Sequence, residues 1–433
     1  MKHFFVLIFT CILLAACQHE KVEYEPLPMD LTPYQSTTGV QYDDLMTAQH
    51  TVRAGMFLPL TGEQAKLGEH LRNAALLAQF DSNNDHLILQ FYDTKGTAEG
   101  AREAFWQARN ENIQVILGPV FSEEVTAIRS MAQRYDIPVI AFSSDPDILD
   151  EGVYTMALSL SEQIERIVRF ACEQGRTRLA ILAPDSKAGD ITYMAAKQTA
   201  DACGMELTAK SFYVPTYINF EPYVLKVLPP TLTTANPLKK EKSKNKEKNA
   251  EESEEDEPKI ADLLDFDTLL IADEGNRLKS IAALFALYDV TPDEVMFIGM
   301  SQWQDPSLTK EGALIGSYFP SLTRPDYEAF VEKYQTAYGS KPVRLASLSY
   351  DAVKLIAFLG QNGQISEEVL TQPNGFRGTD GLFRFRRDGT SERLLGVSQI
   401  RPKNRFRIIE PPAATFAEEE TRKIVPRTYF FWE

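Results

Sequence analysis

Between Val52 and Met300 the chain alternates short apolar runs with longer stretches in which apolar residues return every three or four positions. The runs Val52–Leu60, Leu87–Tyr92, Val115–Leu117 and Ile137–Phe142 have the length and uniform character of strands buried on both faces. Between them, Gln64–Phe80 lines up Leu67, Leu71, Ala74, Ala75 and Ala78 on one side, and Ala98–Arg109 follows the same period. After Gly118-Pro119, Ser122 stands where a helix cap belongs, with Glu123 and Glu124 in the first turn and Val125, Ile128, Met131, Ala132 and Tyr135 along one face. Tyr154–Leu158 then leads into a second series: helix Ser161–Gln174, strand Leu179–Ala183, helix Asp190–Cys203, strand Glu206–Tyr213, strand Thr268–Asp273, helix Asn276–Tyr288 and strand Glu294–Met300. Repeated strand–helix units of this kind predict an α/β fold, with mainly parallel sheets covered by helices on both faces.

The period breaks at Pro229–Lys259. Lysines at 239, 240, 242, 244, 246 and 248 are followed by Glu251, Glu252, Glu254, Glu255, Asp256 and Glu257, with almost nothing apolar between. Such a segment cannot offset its ordering entropy, and it reads as a disordered charged insertion. Past Met300, two helical patterns (Tyr327, Phe330, Val331, Tyr334, Tyr338; then Leu345, Leu348, Ala352, Leu355, Leu359) return the chain to the first series. Leu382–Arg386 and Leu394–Ile400, joined through Asp388-Gly389, predict a hairpin. The end, Tyr429-Phe430-Phe431-Trp432-Glu433, is an aromatic cluster expected to pack back onto the protein.

The first residues carry an address rather than a fold. Lys2 and the apolar run Phe4–Leu14 make a signal peptide, too short to span a bilayer, and Leu14-Ala15-Ala16-Cys17 has the form of a lipobox. Residues 1–17 are therefore read as a lipoprotein signal, with acylation at Cys17, and Gln18 in place of Asp points to the outer membrane. Residues 18–50 are polar and without period, a tether that extends on the order of 100 Å. Cys172 and Cys203 are the remaining thiols. Each ends a helix flanking the same strand, so a buried free thiol and a bridge both remain open, in a compartment that permits disulfides.

With 433 residues, 44% of them hydrophobic, the chain can build two or three domains' worth of core. Its net charge of −16 argues against nucleic acid as a partner and against an anionic membrane surface other than through a lipid anchor. No Ser–His–Asp order, metal-ligand spacing, Walker loop or dinucleotide fingerprint occurs. His70 and His86, the only histidines in the patterned region, read as surface residues. No catalytic role, metal or cofactor is expected. What stands out is a set of polar loops at strand ends: Thr61-Gly62, Ser122, Ser143-Ser144-Asp145, Asp185–Gly189, Asp273–Asn276 and Ser301–Asp305. Open α/β sheets bind ligands there, and helix N-termini offer free N–H groups to an anion.

Several stretches resemble the leucine/isoleucine/valine-binding proteins. VRAGMFLPLTGEQAKLGEHLRNAALLA is similar to their opening strand, turn and helix, ILGPVFSEEV with YDIPVIAFSSDP to their GP-x-x-S helix and following strand, and VRLASLSYDAVKLIAFL to their late YDAV helix. The resemblance covers residues 51–405 apart from the charged insertion. It implies the type 1 periplasmic binding fold: two lobes, three crossings between them, and a ligand in the cleft. Lobe 1 is then expected over about 51–157 and 321–375, lobe 2 over about 158–320 and 376–405, with 406–433 a C-terminal tail. By the same resemblance Ser122, Ser143 and Ser144 hold a small polar, amino-acid-like ligand. Thr61, Asp273, Glu274 and Trp303 complete the candidate ligand set from the neighbouring loops. The second lobe departs from the pattern, with Ala188-Gly189 where the family has Tyr-Gly and Ser301-Gln302-Trp303 where it has an acid; Asp273 or Glu274 would supply the missing charge. FIGMSQWQDPSL, GALIGSYFP and FRGTDGLFRFRRDG resemble penicillin-binding protein activator lipoproteins, although the helical repeat domain of the best-known activators is absent here. Two functions follow: regulation of a peptidoglycan synthase, and capture of an amino acid or similar solute for an ABC permease.

Overall fold

The computed structural model describes residues 51–84, 86–216, 218–233, 260–322, 325–361 and 365–424. The signal, the tether, nearly all of the charged insertion and the aromatic end lie outside the described residues.

The first lobe is built on β1 (Val52–Leu58), β2 (Leu87–Asp93), β3 (Val115–Leu117), β4 (Val139–Ala141) and β5 (Val153–Thr155), all parallel in the order β2-β1-β3-β4-β5. Met56 pairs with Phe91 on one side and Leu117 on the other, at the middle of the sheet. Helices Ala65–Ser82 and Ala346–Gln361 cover one face, joining Leu71, Ala75 and Ala78 to Leu355 and Ile356 in a single core. Helices Ala98–Asn110 and Ser122–Arg134 cover the other through Phe105, Ala108, Val125 and Ile128. Gly118 closes β3 at φ +91°, and a Cβ there would sit 2.4 Å from the Phe57 carbonyl oxygen, so only glycine lets the GP turn approach β1. His70 is not a plain surface residue: half-buried, it shares a 3.0 Å hydrogen bond with the Tyr334 hydroxyl.

The second lobe has seven strands in the order β15-β14-β10-β9-β8-β6-β7. They are β6 (Arg178–Pro184), β7 (Glu206–Tyr213), β8 (Thr268–Ile271), β9 (Met296–Ile298), β10 (Tyr318–Ser321), β14 (Gly396–Arg401) and β15 (Arg405–Glu410). The first five are parallel; β14 and β15 run antiparallel at one edge. Helices Leu160–Glu173 and Lys187–Cys203 pack side by side on one face, and a disulfide joins Cys172 to Cys203 at their ends. The free-thiol reading is therefore set aside. The opposite face is filled by Phe266, Phe285, Phe297 and Trp303.

Two expectations near the carboxyl terminus are corrected. The segment from residue 376 does not enter the second lobe directly. β11 (Phe376–Gly378), β12 (Gly381–Phe385) and β13 (Ser391–Arg393) make a small antiparallel sheet whose Phe376, Phe383 and Phe385 belong to the first-lobe core. The expected hairpin closes at β13, where Phe383 pairs with Arg393, and β14 pairs instead with β10. Nor does the folded unit end at 405. β15 adds a strand to the sheet, and helix Phe416–Ile424 docks through a 2.5 Å bond between Glu419 and Arg169. The lobes are joined after Thr155, between Ser321 and Pro325, and after Arg393. Among the described residues no helix is long and apolar enough to cross a membrane.

Candidate functional site

An open cleft of about 630 Å³ lies between the lobes, within the usual range of small-molecule sites. Ser144, Tyr327, Arg344 and Asp380 face it from the first lobe, and Glu274, Ser301, Gln302 and Gln304 from the second. The sheets explain the placement. β4 and β8 end at this level, and the loops that follow them carry Ser144 and Glu274 to opposite walls.

The other expected ligand residues have different neighbours. Ser122 is the first residue of its helix rather than the cap; Phe121 occupies the cap position without a side-chain bond, and the buried Glu124 carboxylate accepts the Phe121 N–H at 2.9 Å. The Ser122 hydroxyl is a minor contributor, after Lys187, to holding the Asp145 carboxyl below its usual range. Ser143 turns inward, its hydroxyl accepting the Asp145 N–H at 3.2 Å and its carbonyl accepting the Thr155 hydroxyl at 2.6 Å. Thr61 donates its hydroxyl to Asp93 at 2.6 Å, and Asp93 also accepts the N–H groups of Leu60, Thr61 and Lys95, which closes the turn after β1.

Asp273 and Trp303 are corrections, because both are buried supports rather than ligand contacts. The Asp273 carboxylate accepts hydrogen bonds from Tyr213, from Arg277 at 3.0 Å and from the Glu274 N–H at 2.7 Å. Trp303 has no exposed surface, and its indole N–H donates to the Asp273 carbonyl at 2.8 Å. A Cβ on Gly299 would fall 2.0 Å from the indole, so this glycine provides the space for the ring. The pair fixes the loops from which Glu274 and Gln302 reach the cleft.

Beside the serine loop stands a group that the sequence did not single out. Lys187 opens helix Lys187–Cys203 of the second lobe, and its Nζ lies 2.5 Å from Asp145 Oδ1 and 2.5 Å from Asp147 Oδ2 of the first. The Lys187 ammonium holds the Asp145 carboxyl below its usual range, and Asp145, then Asp147, hold Lys187 above its own. Lysine at the first turn of a helix faces the wrong end of the dipole, so these carboxylates, not the helix, account for its position. The loop expected to hold the ligand is thus engaged by an ammonium of the chain itself.

Arg344, Asp380 and Arg393 were also missed as site residues. Arg344 grips Asp380 with both guanidinium arms, at 2.6 and 3.0 Å, and lies 4.3 Å above the Tyr327 ring. Arg393, on β13, is almost wholly buried on the wall of the cleft. Only tertiary pairing of the small sheet brings these together, and no local period signals it.

The comparisons agree with this architecture. Residues 51–228 match the family model for periplasmic binding proteins. The solved structures similar to this one include a Rhodospirillum rubrum protein assigned to branched-chain amino acid ABC transport, 17% identical over 83% of this chain and 100% of that one, with a TM-score of 0.67. They also include a Rhodopseudomonas palustris solute-binding protein in complex with 3,4-dihydroxybenzoic acid, 16% identical over 84% and 97%, TM-score 0.56. A third is the Streptococcus pneumoniae branched-chain amino acid binding protein LivJ with isoleucine, 16% identical over 83% and 100%, TM-score 0.54. No curated relative matches the chain. The protein has the two-lobed type 1 periplasmic binding fold.

Proposed function

We propose that the protein is a non-enzymatic lipoprotein of the cell envelope that regulates a peptidoglycan synthase, in the manner of the penicillin-binding protein activators that its motifs resemble. On this reading residues 1–16 are removed, Cys17 becomes the acylated N-terminus, and 18–50 tether the two lobes to the outer membrane from the periplasmic side. The observation that carries the reading is the Lys187 bridge to Asp145 and Asp147. It lies beside Ser122 and Ser143, which in an amino-acid binder would meet the ligand, and ties the lobes together with the chain's own charges.

A second reading, a solute receptor for an ABC importer, is favoured by the cleft itself, which has Ser144 and Glu274 on facing walls. The structurally similar proteins of known complex hold isoleucine and a dihydroxybenzoate, so the fold accommodates small carboxylates.

Calorimetry against a panel of amino acids, run beside a pull-down with detergent-solubilised penicillin-binding synthases, separates the two. Regulation predicts silence across the panel and retention of a synthase, unchanged by the double substitution Ser122→Ala and Ser144→Ala. Micromolar amino-acid binding lost in that double variant, with no synthase retained, would establish the solute receptor instead. A charged hydrogen bond contributes roughly 1.5–3 kcal/mol, so losing two would weaken such binding by about two orders of magnitude or more.

A further inference from the structure

The hairpin that joins β14 to β15 carries a charge that nothing around it balances. Arg401-Pro402-Lys403-Asn404-Arg405-Phe406-Arg407 crowds its cations into one turn, on a chain whose net charge is −16. Arg401 and Arg405 stand directly opposite each other across the two strands, and Arg407 stands opposite Gln399. Like charges so placed repel, which the hairpin bears as a cost in stability. At the other end of β15, Arg166 and Arg422 both reach Glu410. Among the described residues no carboxylate pairs with Arg401, Lys403, Arg405 or Arg407. Lys403, Arg405 and Arg407 are exposed and Arg401 is half-buried. The turn is held in place, because the Asn404 N–H donates to the Thr309 hydroxyl at 3.1 Å, and the next residue, Lys310, adds another exposed cation.

This corner is remote from the cleft. β14 runs antiparallel to β10, so it leaves the cleft side of the sheet at Gly396 and reaches the outer end of the second lobe at Arg401. The chain enters the first lobe at the corresponding outer end, the start of β1, so an anchor ahead of Val52 lies at the far end of the molecule. We propose that the hairpin docks an extended acidic segment of a partner protein, with carboxylates of that segment on Arg405 and Arg407. The two arginines lie on one face of β15, about 7 Å apart, which is the repeat of alternate side chains along an extended peptide. Each guanidinium can take a carboxylate with two parallel bonds. Ile408, next along the strand and 63% exposed, adds an apolar contact beside the charges. Charges on edge strands also deter stray strand pairing, but that needs neither a cation in the turn nor one arginine set against another. The inference does not depend on whether the partner is a peptidoglycan synthase.

A short labelled peptide in which Glu alternates with Ser is the probe, and a peptide of the same composition with its Glu residues in one block is the control. Fluorescence anisotropy with the full acylated protein in neutral detergent at low salt should show tighter binding of the alternating peptide. Arg405→Glu with Arg407→Glu should weaken it at least about tenfold, since two attractive pairs become repulsive ones. Lys66→Glu with Lys341→Glu, an equal change of charge at exposed positions of the first lobe, should leave it within about twofold. Arg405→Gln with Arg407→Gln, which removes the charges without adding new ones, should give an intermediate loss and guards against misfolding of the reversed hairpin. Equal binding of the two peptides, equal loss in the first-lobe variant, full affinity in both hairpin variants, or no peptide binding would each overturn the inference. So would capture on phosphatidylglycerol-containing vesicles without peptide binding, which would make the hairpin a membrane contact. In the synthase pull-down, retention abolished by the hairpin reversal would identify the synthase as the acidic partner. Peptide binding with no synthase retained would uphold this surface and count against the regulatory reading; a retained synthase with no peptide binding would do the reverse.

Discussion

Asp351 lies entirely out of water in helix Ala346–Gln361, held by the Thr379 N–H at 2.9 Å and the Thr379 hydroxyl at 3.0 Å. Burial, and then the charge of nearby Asp380, push its carboxyl up to about 7 from an ordinary 3.8. Between those values the folded protein keeps a proton that the unfolded chain has released, so this group's contribution is complete below 3.8, falls as pH rises from there and is gone above about 7. Stability measured by denaturant should therefore fall by about 1–3 kcal/mol from pH 5 to pH 8. Asp351→Asn, which is neutral at both, should flatten that slope; an unchanged slope would show that the carboxyl does not titrate in this range. The YDAV stretch placed Asp351 on a helix, but nothing local told of Thr379 or Asp380, which arrive from the small sheet. The same holds across the candidate site. Ser144 and Glu274 were legible because strand ends are, whereas Arg344 and Arg393 matter only through partners distant in sequence.

At the level of elements, hydrophobic period located the main strands and helices of both lobes to within a few residues, since each is buried along a face that the period marks. It misjudged Leu394–Ile400 for the same reason. Leu394 and Leu395 are buried where the chain crosses between lobes, and their apolar character merges with that of β14. Period also says nothing about what one helix end does to a distant loop, as at Lys187. Its bridge is exposed, so salt should screen it. Asp145 is depressed by this lysine, which means that the bridge holds above the ordinary carboxylate range and is lost as pH falls through the depressed value. Small-angle scattering should show a larger radius of gyration for Lys187→Ala than for the wild type at low salt. Raising salt to about 1 M, where the screening length is about 3 Å, should bring the wild type up to the variant. A variant as compact as the wild type would mean that packing, not this ion pair, holds the lobes together.

The fold class of the whole molecule was legible because alternating strands and helices allow few other solutions, and because the quoted motifs resemble a known family. The assignment of the last hundred residues to lobes was not, since it depends on which sheet each short strand joins. The structure makes helix Phe416–Ile424 a connection between the lobes. Glu419 bonds Arg169 of the second lobe, while Glu420 meets Arg384 of the small sheet at 2.8 Å. Phe416 is buried with Leu394 and Ala413, and the Arg384 guanidinium lies 4.3 Å from its ring centre. Ending the chain after Glu410 would keep β15 but remove this helix, uncovering Leu394 and taking one carboxylate from a nearly buried arginine. Loss of a buried aromatic and of a buried ion-pair partner each costs roughly 3 kcal/mol or more in other proteins. The truncated protein should therefore melt several degrees lower. Its hydrogen exchange should accelerate first around Leu394 and Leu395 and in helix Leu160–Glu173, before the first-lobe sheet is affected. If the truncated protein matches the full chain in both measurements, the helix rests on the surface without joining the lobes. If exchange accelerates evenly through both sheets, it stabilises the molecule as a whole rather than the connection between its halves.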